Sequence, residues 1–158
     1  MEKESRQFIV VSIGFFFLFI IDRITKWWAF HALSEEGPLN FLSVFRLELY
    51  MNEGIIFSIP LYQPLTYIVT VAIISAVAFF LFGAFKKRNM NLVISLSLIA
   101  VGSFSNFLDR IYHGAIIDFV NLRFLPVFNL ADCLIIVGAI MLIFKTSSLR
   151  KKNYEKVH

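Results

Sequence analysis

The sequence holds a single cysteine, Cys133, so no disulfide can form within the chain and the redox compartment cannot be read from it. It has only three histidines, His31, His113 and His158, and only His113 lies near any carboxylate in the sequence. His113 with Asp109 or Asp118 is not a zinc-binding spacing. No serine sits in a nucleophile elbow, and Cys133 has no histidine at a readable distance. Charge is scarce as well. Charged residues make up 16% of the chain, against roughly 25% in soluble domains. No repeat and no low-complexity stretch is present. Metal, cofactor, thiol and serine chemistries therefore lack their residues.

Apolar residues fill the gap. They reach 58% of 158 residues and include 19 phenylalanines, more than a small soluble core can hide, so part of this surface must face lipid. The net charge of +4 could suggest nucleic acid, but its distribution excludes that partner. Ten of the 15 Lys and Arg fall in three clusters: Lys3 and Arg6; Lys86, Lys87 and Arg88; and Lys145, Arg150, Lys151, Lys152 and Lys156. Long apolar runs separate them, which is the positive-inside pattern of a multispanning membrane protein.

Four apolar segments predict four transmembrane helices in one integral membrane domain over residues 1–158: about Phe8–Trp28, Pro64–Phe85, Leu92–Leu108 and Leu130–Phe144. The fourth is short for a span and must borrow residues from its flanks. The first follows Lys3 and Arg6 as a cleaved signal would. It lacks a small-residue cleavage site and runs on into Trp27 and Trp28, which suit a retained helix at the interface. With four spans, both termini and the Lys86–Asn91 loop are cytoplasmic. Residues 29–63 and 109–129 then face outward, and these regions with the adjoining helix ends hold eight of the 11 acidic residues. The segment Leu130-Ala131-Asp132-Cys133 faintly resembles a lipid-attachment box, but it lies far from the N-terminal export signal that such a box follows.

In the first outer region Phe45, Leu47, Leu49 and Met51 alternate with Arg46, Glu48, Tyr50 and Asn52, the period of a half-buried strand. Asn52-Glu53-Gly54 reads as a turn, and a second strand over Ile55–Ile59 would complete a hairpin before Pro60. Open strand edges cannot face hydrocarbon, so this small extracytoplasmic sheet is expected at the membrane surface.

The informative residues are the polar ones in or beside the spans, where charge is expensive. Asp22 and Lys26 stand one helical turn apart and can pair, with Lys26 snorkelling to the headgroups; this structural reading is preferred over direct chemistry. Asn106, Asp109 and Arg110 close the third span after the small residues Gly102, Ser103 and Ser105, which allow a close helix contact. They form either a polar cap or a helix end that holds a substrate or a carboxylate through Arg110. Asp118 lies alone in Ile116-Ile117-Asp118-Phe119-Val120 and needs a partner or a proton. Asp132 opens the fourth span with Asn129 one turn earlier. The two aspartates are 14 residues apart with Pro126 between them, so they can meet only if the segment after Asp118 lies along the surface and turns back. Such a pair cannot ionise twice at close range. One protonated and one ionised carboxyl could activate water against a peptide carbonyl. Carboxylates lining a small channel would look similar.

Five motifs, in order, resemble those of the bacterial lipoprotein signal peptidases (signal peptidase II): Asp22-Arg23-Ile24-Thr25-Lys26; Asn52-Glu53-Gly54-Ile55-Ile56-Phe57-Ser58; Gly102-Ser103-Phe104-Ser105-Asn106-Phe107-Leu108-Asp109-Arg110; Ile117-Asp118-Phe119; and Phe128-Asn129-Leu130-Ala131-Asp132. The resemblance covers nearly the whole chain. It implies that Asp118 and Asp132 are a catalytic dyad, and that Asn52, Gly54, Asn106, Arg110, Asn129, Asp22 and Lys26 support it, with no metal and no cofactor. It implies an endopeptidase of the cytoplasmic (inner) membrane that acts on prolipoproteins carrying diacylglycerol and cuts before the lipidated cysteine. It also implies inhibition by cyclic peptide or macrocyclic antibiotics such as globomycin. Two positions depart from the pattern: Ser105 and Val101 stand where glycines are usual, and a hydroxymethyl at 105 is expected to crowd a helix contact. A small cation transporter and a non-catalytic lipoprotein-binding paralogue are the rival classes. The first would spread polar residues through the depth of the spans, whereas here they cluster at one end.

Overall fold

The computed structural model describes the backbone of residues 2–54 and 63–157, and the side chains of residues 6–54 and 64–145. Four helices and three strands alternate along the chain: α1 (Glu2–Glu36), β1 (Leu39–Leu42), β2 (Phe45–Asn52), α2 (Gln63–Lys86), α3 (Met90–His113), β3 (Ile116–Leu122) and α4 (Leu130–Val157). Among the described residues three helices are long and apolar enough to cross a membrane: Arg6–Glu35, Pro64–Lys86 and Met90–His113. In α1 and α2, Ile13, Phe16, Phe17, Ile68, Phe79 and Phe80 are exposed, a surface that only lipid can cover without cost.

α3 packs against all three other helices. Asn89 caps its start, its side chain accepting from the Leu92 amide, and Gly114 ends it in the left-handed conformation with φ 75°. Two glycines set its distance to α4. A Cβ on Gly102 would overlap the Ala131 carbonyl oxygen, and one on Gly138 would come within 2.6 Å of the Ser95 carbonyl oxygen. The small residue expected at position 102 is thus where the two backbones meet.

The helices exceed the expected spans. α1 runs past Trp28 to Glu36, α3 past Leu108 to His113, and α4 past Phe144 to Val157. Each extension is polar or mixed, so hydropathy ended the prediction where helical hydrogen bonding did not end the helix.

The strand over Phe45–Asn52 is present, but its pairing differs from the expected hairpin. β2 lies between β1 and β3 in an antiparallel sheet of order β1-β2-β3. Its hairpin partner precedes it, through a turn at Ser43-Val44; the segment Ile55–Ile59 lies outside the described residues. Leu47, Leu49, Leu39 and Val120 pack with Phe119 on Ala29 and Leu33, so the sheet rests on the C-terminal extension of α1. At the opposite end Phe8, Ala84, Val93 and Leu142 form a second apolar cluster, joining all four helices.

Candidate active site

Asp118 and Asp132 are brought together by the return of the chain after β3. Phe128 pairs with Val120: its amide donates to the Val120 carbonyl at 3.0 Å, and its carbonyl accepts from the Phe119 and Val120 amides at 3.1 and 2.9 Å. The turn-back that the spacing required is therefore a bridge to the sheet, and it lays Asn129 beside Asp118. Asn129 then starts α4. Its Oδ1 accepts from the Asp132 amide at 2.9 Å, while its own amide donates to Asp132 Oδ2 at 3.1 Å, a reciprocal cap with aspartate in the third helical position. The remaining Asn129 group, Nδ2, donates to Asp118 Oδ1 at 2.6 Å. One asparagine thus holds both carboxylates.

Two further asparagines complete the cradle. Asn52 Nδ2 donates to Asp118 Oδ2 at 2.9 Å, and its Oδ1 accepts from the Gly54 amide at 3.0 Å, which is the turn expected at Asn52–Gly54. Asn52 falls on the polar face of β2 by alternation, yet it is buried, because Asp118 is its partner. Asn106 Nδ2 donates to Asp132 Oδ1 at 2.8 Å. Asp118 is fully enclosed within β3, and its carboxyl is pushed up to about 7, first by burial and then by the nearby charge of Asp132, against the hydrogen bonds of Asn52 and Asn129. Asp132 is more open and sits at a helix N-terminus, where negative charge is stabilised.

Arg110 reaches over the pair. Its Nη2 donates to the Gly54 carbonyl at 2.7 Å, and its buried Nε has no partner among the described residues. Tyr67 Oη donates to the Arg110 carbonyl at 2.6 Å. The guanidinium senses Asp118, Asp132 and Asp109 electrostatically.

Behind the dyad lies a buried charged layer, and here one expectation is corrected. Lys26 does not snorkel to headgroups. Its ammonium is fully buried, donates to Asn106 Oδ1 at 2.6 Å, and forms ion pairs with Asp109 Oδ2 at 2.6 Å and Asp22 Oδ2 at 3.4 Å. Burial of α1 against α3 closes the path to the headgroups. Asp22 also accepts from the Ala131 amide at 2.8 Å, tying α1 to the first turn of α4.

Sequence reasoning missed Arg23, whose Nη1 donates to Asp109 Oδ1 at 2.6 Å and to Ser105 Oγ at 3.0 Å. The signal was available in the charge balance: Asp22 and Asp109 are two buried anions, and Lys26 alone cannot neutralise both. Ser105 is also corrected. It does not crowd the contact but donates to Asp22 Oδ2 at 2.5 Å, so its hydroxymethyl fills the space with a bond. An open hollow of about 660 Å³ lies elsewhere, lined by residues 40–46, Asn121 and Arg123 of the sheet, and contains none of these groups.

Comparison with known proteins gives the family. The family model described as signal peptidase (SPase) II matches residues 14–148. The lipoprotein signal peptidase of Thermodesulfovibrio yellowstonii is 32% identical over 145 residues, 89% of this chain and 97% of that protein. That of Wigglesworthia glossinidia brevipalpis is 31% identical over 150 residues, 90% of this chain and 94% of its own. A solved bacterial membrane enzyme, determined by the in meso method at 2.3 Å resolution, shares the fold with a TM-score of 0.78 at 24% identity, covering 93% of this chain and 91% of that one.

Proposed function

The chain belongs to the signal peptidase II family, and from that premise we propose that it is a multi-pass membrane aspartic protease working through Asp118 and Asp132. It removes signal peptides from prolipoproteins. The substrate is a precursor already carrying diacylglycerol, cut before its lipidated cysteine. Acyl chains and signal helix are held in the surrounding lipid and against exposed apolar faces such as those of α1 and α2. Cyclic peptide or macrocyclic antibiotics would compete at the same place.

The observation that carries the reading is the double hold of Asn129, whose side chain binds Asp118 and whose amide binds Asp132. With Asp118 held near neutrality by burial, it is the partner that keeps its proton. Asp132, at the start of α4, is the partner that takes a proton from water. Water then attacks the peptide carbonyl while Asp118 hydrogen-bonds the developing oxyanion, and the proton reaches the leaving amine through the same pair. The dyad titrates as a unit, so kcat/KM is expected to fall as pH rises through about 7, where Asp118 loses its proton.

The test is cleavage of a lipidated precursor by purified Asp118→Asn and Asp132→Asn variants, with folding checked alongside. Each substitution keeps shape and removes proton exchange. Either alone abolishes cleavage, and the double variant is no worse than one, because groups acting as a unit are not additive. Near-normal turnover by a folded single variant would overturn the assignment. A channel or carrier reading gains nothing from the site, since its charged side chains gather in one layer at one end of the bundle.

A further inference from the structure

A carboxamide presents one acceptor and one donor edge, and in this site every asparagine that touches the dyad turns its donor edge to it. For Asn52 and Asn129 the cause is local: a backbone amide, from Gly54 or Asp132, occupies the Oδ1 side. Asn106 has no such neighbour on its own helix. Its Oδ1 is met by the Lys26 ammonium at 2.6 Å, and at 3.2 Å by Asn129 Nδ2. An ammonium has donors only and can never accept, so the group facing Lys26 must be oxygen, and Nδ2 must face Asp132 Oδ1 at 2.8 Å.

We propose that Lys26 is a positioning residue for peptide cleavage: from α1 it fixes the sense of the Asn106 carboxamide in α3, and through it presents an N–H donor to Asp132 in α4. The inference rests on the reading of Asp118 and Asp132 as the dyad. It differs from simple charge balance, which would need Lys26 only to neutralise Asp22 and Asp109. Without the ammonium only the longer bond from Asn129 Nδ2 still holds the oxygen, and the carboxamide can turn that oxygen to Asp132, where two acceptors meet and the ionised carboxylate loses its donor. The charged groups around it are Asp22 and Arg23 from α1, Asp109 and Arg110 from α3, Asp118 from β3 and Asp132 from α4, with Cys133 beside the last.

Removing Lys26 alone upsets the balance of Asp22 and Asp109 against Lys26 and Arg23, so the comparison is Asp109→Asn against Lys26→Met/Asp109→Asn, both purified and assayed on a lipidated precursor from pH 5 to 9. The second is expected to lose kcat on the order of tenfold relative to the first, as coupled neighbours do, with little change in KM and with the acid limb of kcat/KM moved to higher pH. Adding Asn106→Leu to the lysine variant should cost nothing more. Equal kcat and equal pH profiles in the pair, or a lysine effect that adds in full to that of Asn106→Leu, would overturn the proposal. Asn106→Asp gives a second route that leaves Lys26 in place: it replaces the donor edge by oxygen, and turnover equal to the parent would equally overturn it. Failure of the dyad reading is seen separately, as turnover by Asp132→Asn.

Discussion

The residues of the site are costly to fold, and that cost makes predictions about stability. Asp118 has an ordinary value of 3.8, raised to about 7 in the folded chain. The folded state therefore holds its proton over a range where the unfolded state has released it. The sign follows: full stability below about pH 4, with a growing loss as pH rises toward about 7. Asp118→Asn has no such ionisation. Its melting temperature in detergent should match the parent's near pH 4 and exceed it at pH 8; a constant difference across that range would contradict the burial argument. Arg110 makes a different case. Its Nη2 is committed to Gly54, and its buried Nε has no partner among the described residues. Lysine keeps the charge but not two donors fixed in a plane. Arg110→Lys should fold and bind detergent as the parent does but cleave poorly at limiting substrate. Full activity would make Arg110 a structural tie to Gly54 only. At this scale the sequence was informative about which residues gather, because a polar residue in an apolar span needs a reason. It pointed to Arg23 only through the charge balance and was silent on the hydroxyl of Ser105, because a partner 82 residues away leaves no local mark.

At the scale of elements, the contact of α3 with α4 decides the geometry of the dyad, since Asn106 lies on one helix and Asp132 on the other. Gly102 is the closest point, four residues before Asn106, and it faces the carbonyl of Ala131, next to Asp132. Gly102→Ala has to push the two helices apart there. Overpacking of this kind costs about 1–3 kcal/mol, and the displacement falls on the Asn106–Asp132 bond. The expected result is a lowered melting temperature together with a loss of kcat larger than that seen for Gly83→Ala, where an added Cβ meets nothing within 4 Å. Equal effects at the two glycines would mean that the contact does not govern the site. The helices and the strand over Phe45–Asn52 were legible because period and hydropathy are local properties. The partners of that strand were not. β3 looks like an apolar run interrupted by Asp118, and its pairing with β2, Tyr50 opposite Asp118 and Asn52 opposite Ile116, depends on chain 66 residues away from Asn52 at the Asp118 bond.

For the whole molecule, the two ends of the bundle differ in kind. One end carries the sheet, the dyad and the buried ions. At the other, Phe8 of α1 meets Ala84, Val93 and Leu142, and Lys145 of α4 donates to Asn89 at the turn between α2 and α3. The basic run Lys86–Arg88 and Lys145 thus share the end opposite the aspartates. Positive charge near short loops tends to stay cytoplasmic, and this polarity supports the proposal that the site faces outward. α4 runs from Leu130 to Val157 and, at about 1.5 Å per residue, is long enough to be the fourth span. On the proposal of four crossings, both termini are expected inside. Reporter fusions after Met90 and Val157 should read cytoplasmic, and one at Glu35, on the outer extension of α1, should read external. An external reading at Val157 would leave α4 short of a crossing. It would also put the Lys145–Asn89 end and the chain terminus on different sides, an arrangement that this fold cannot adopt with Asp132 still beside Asn106.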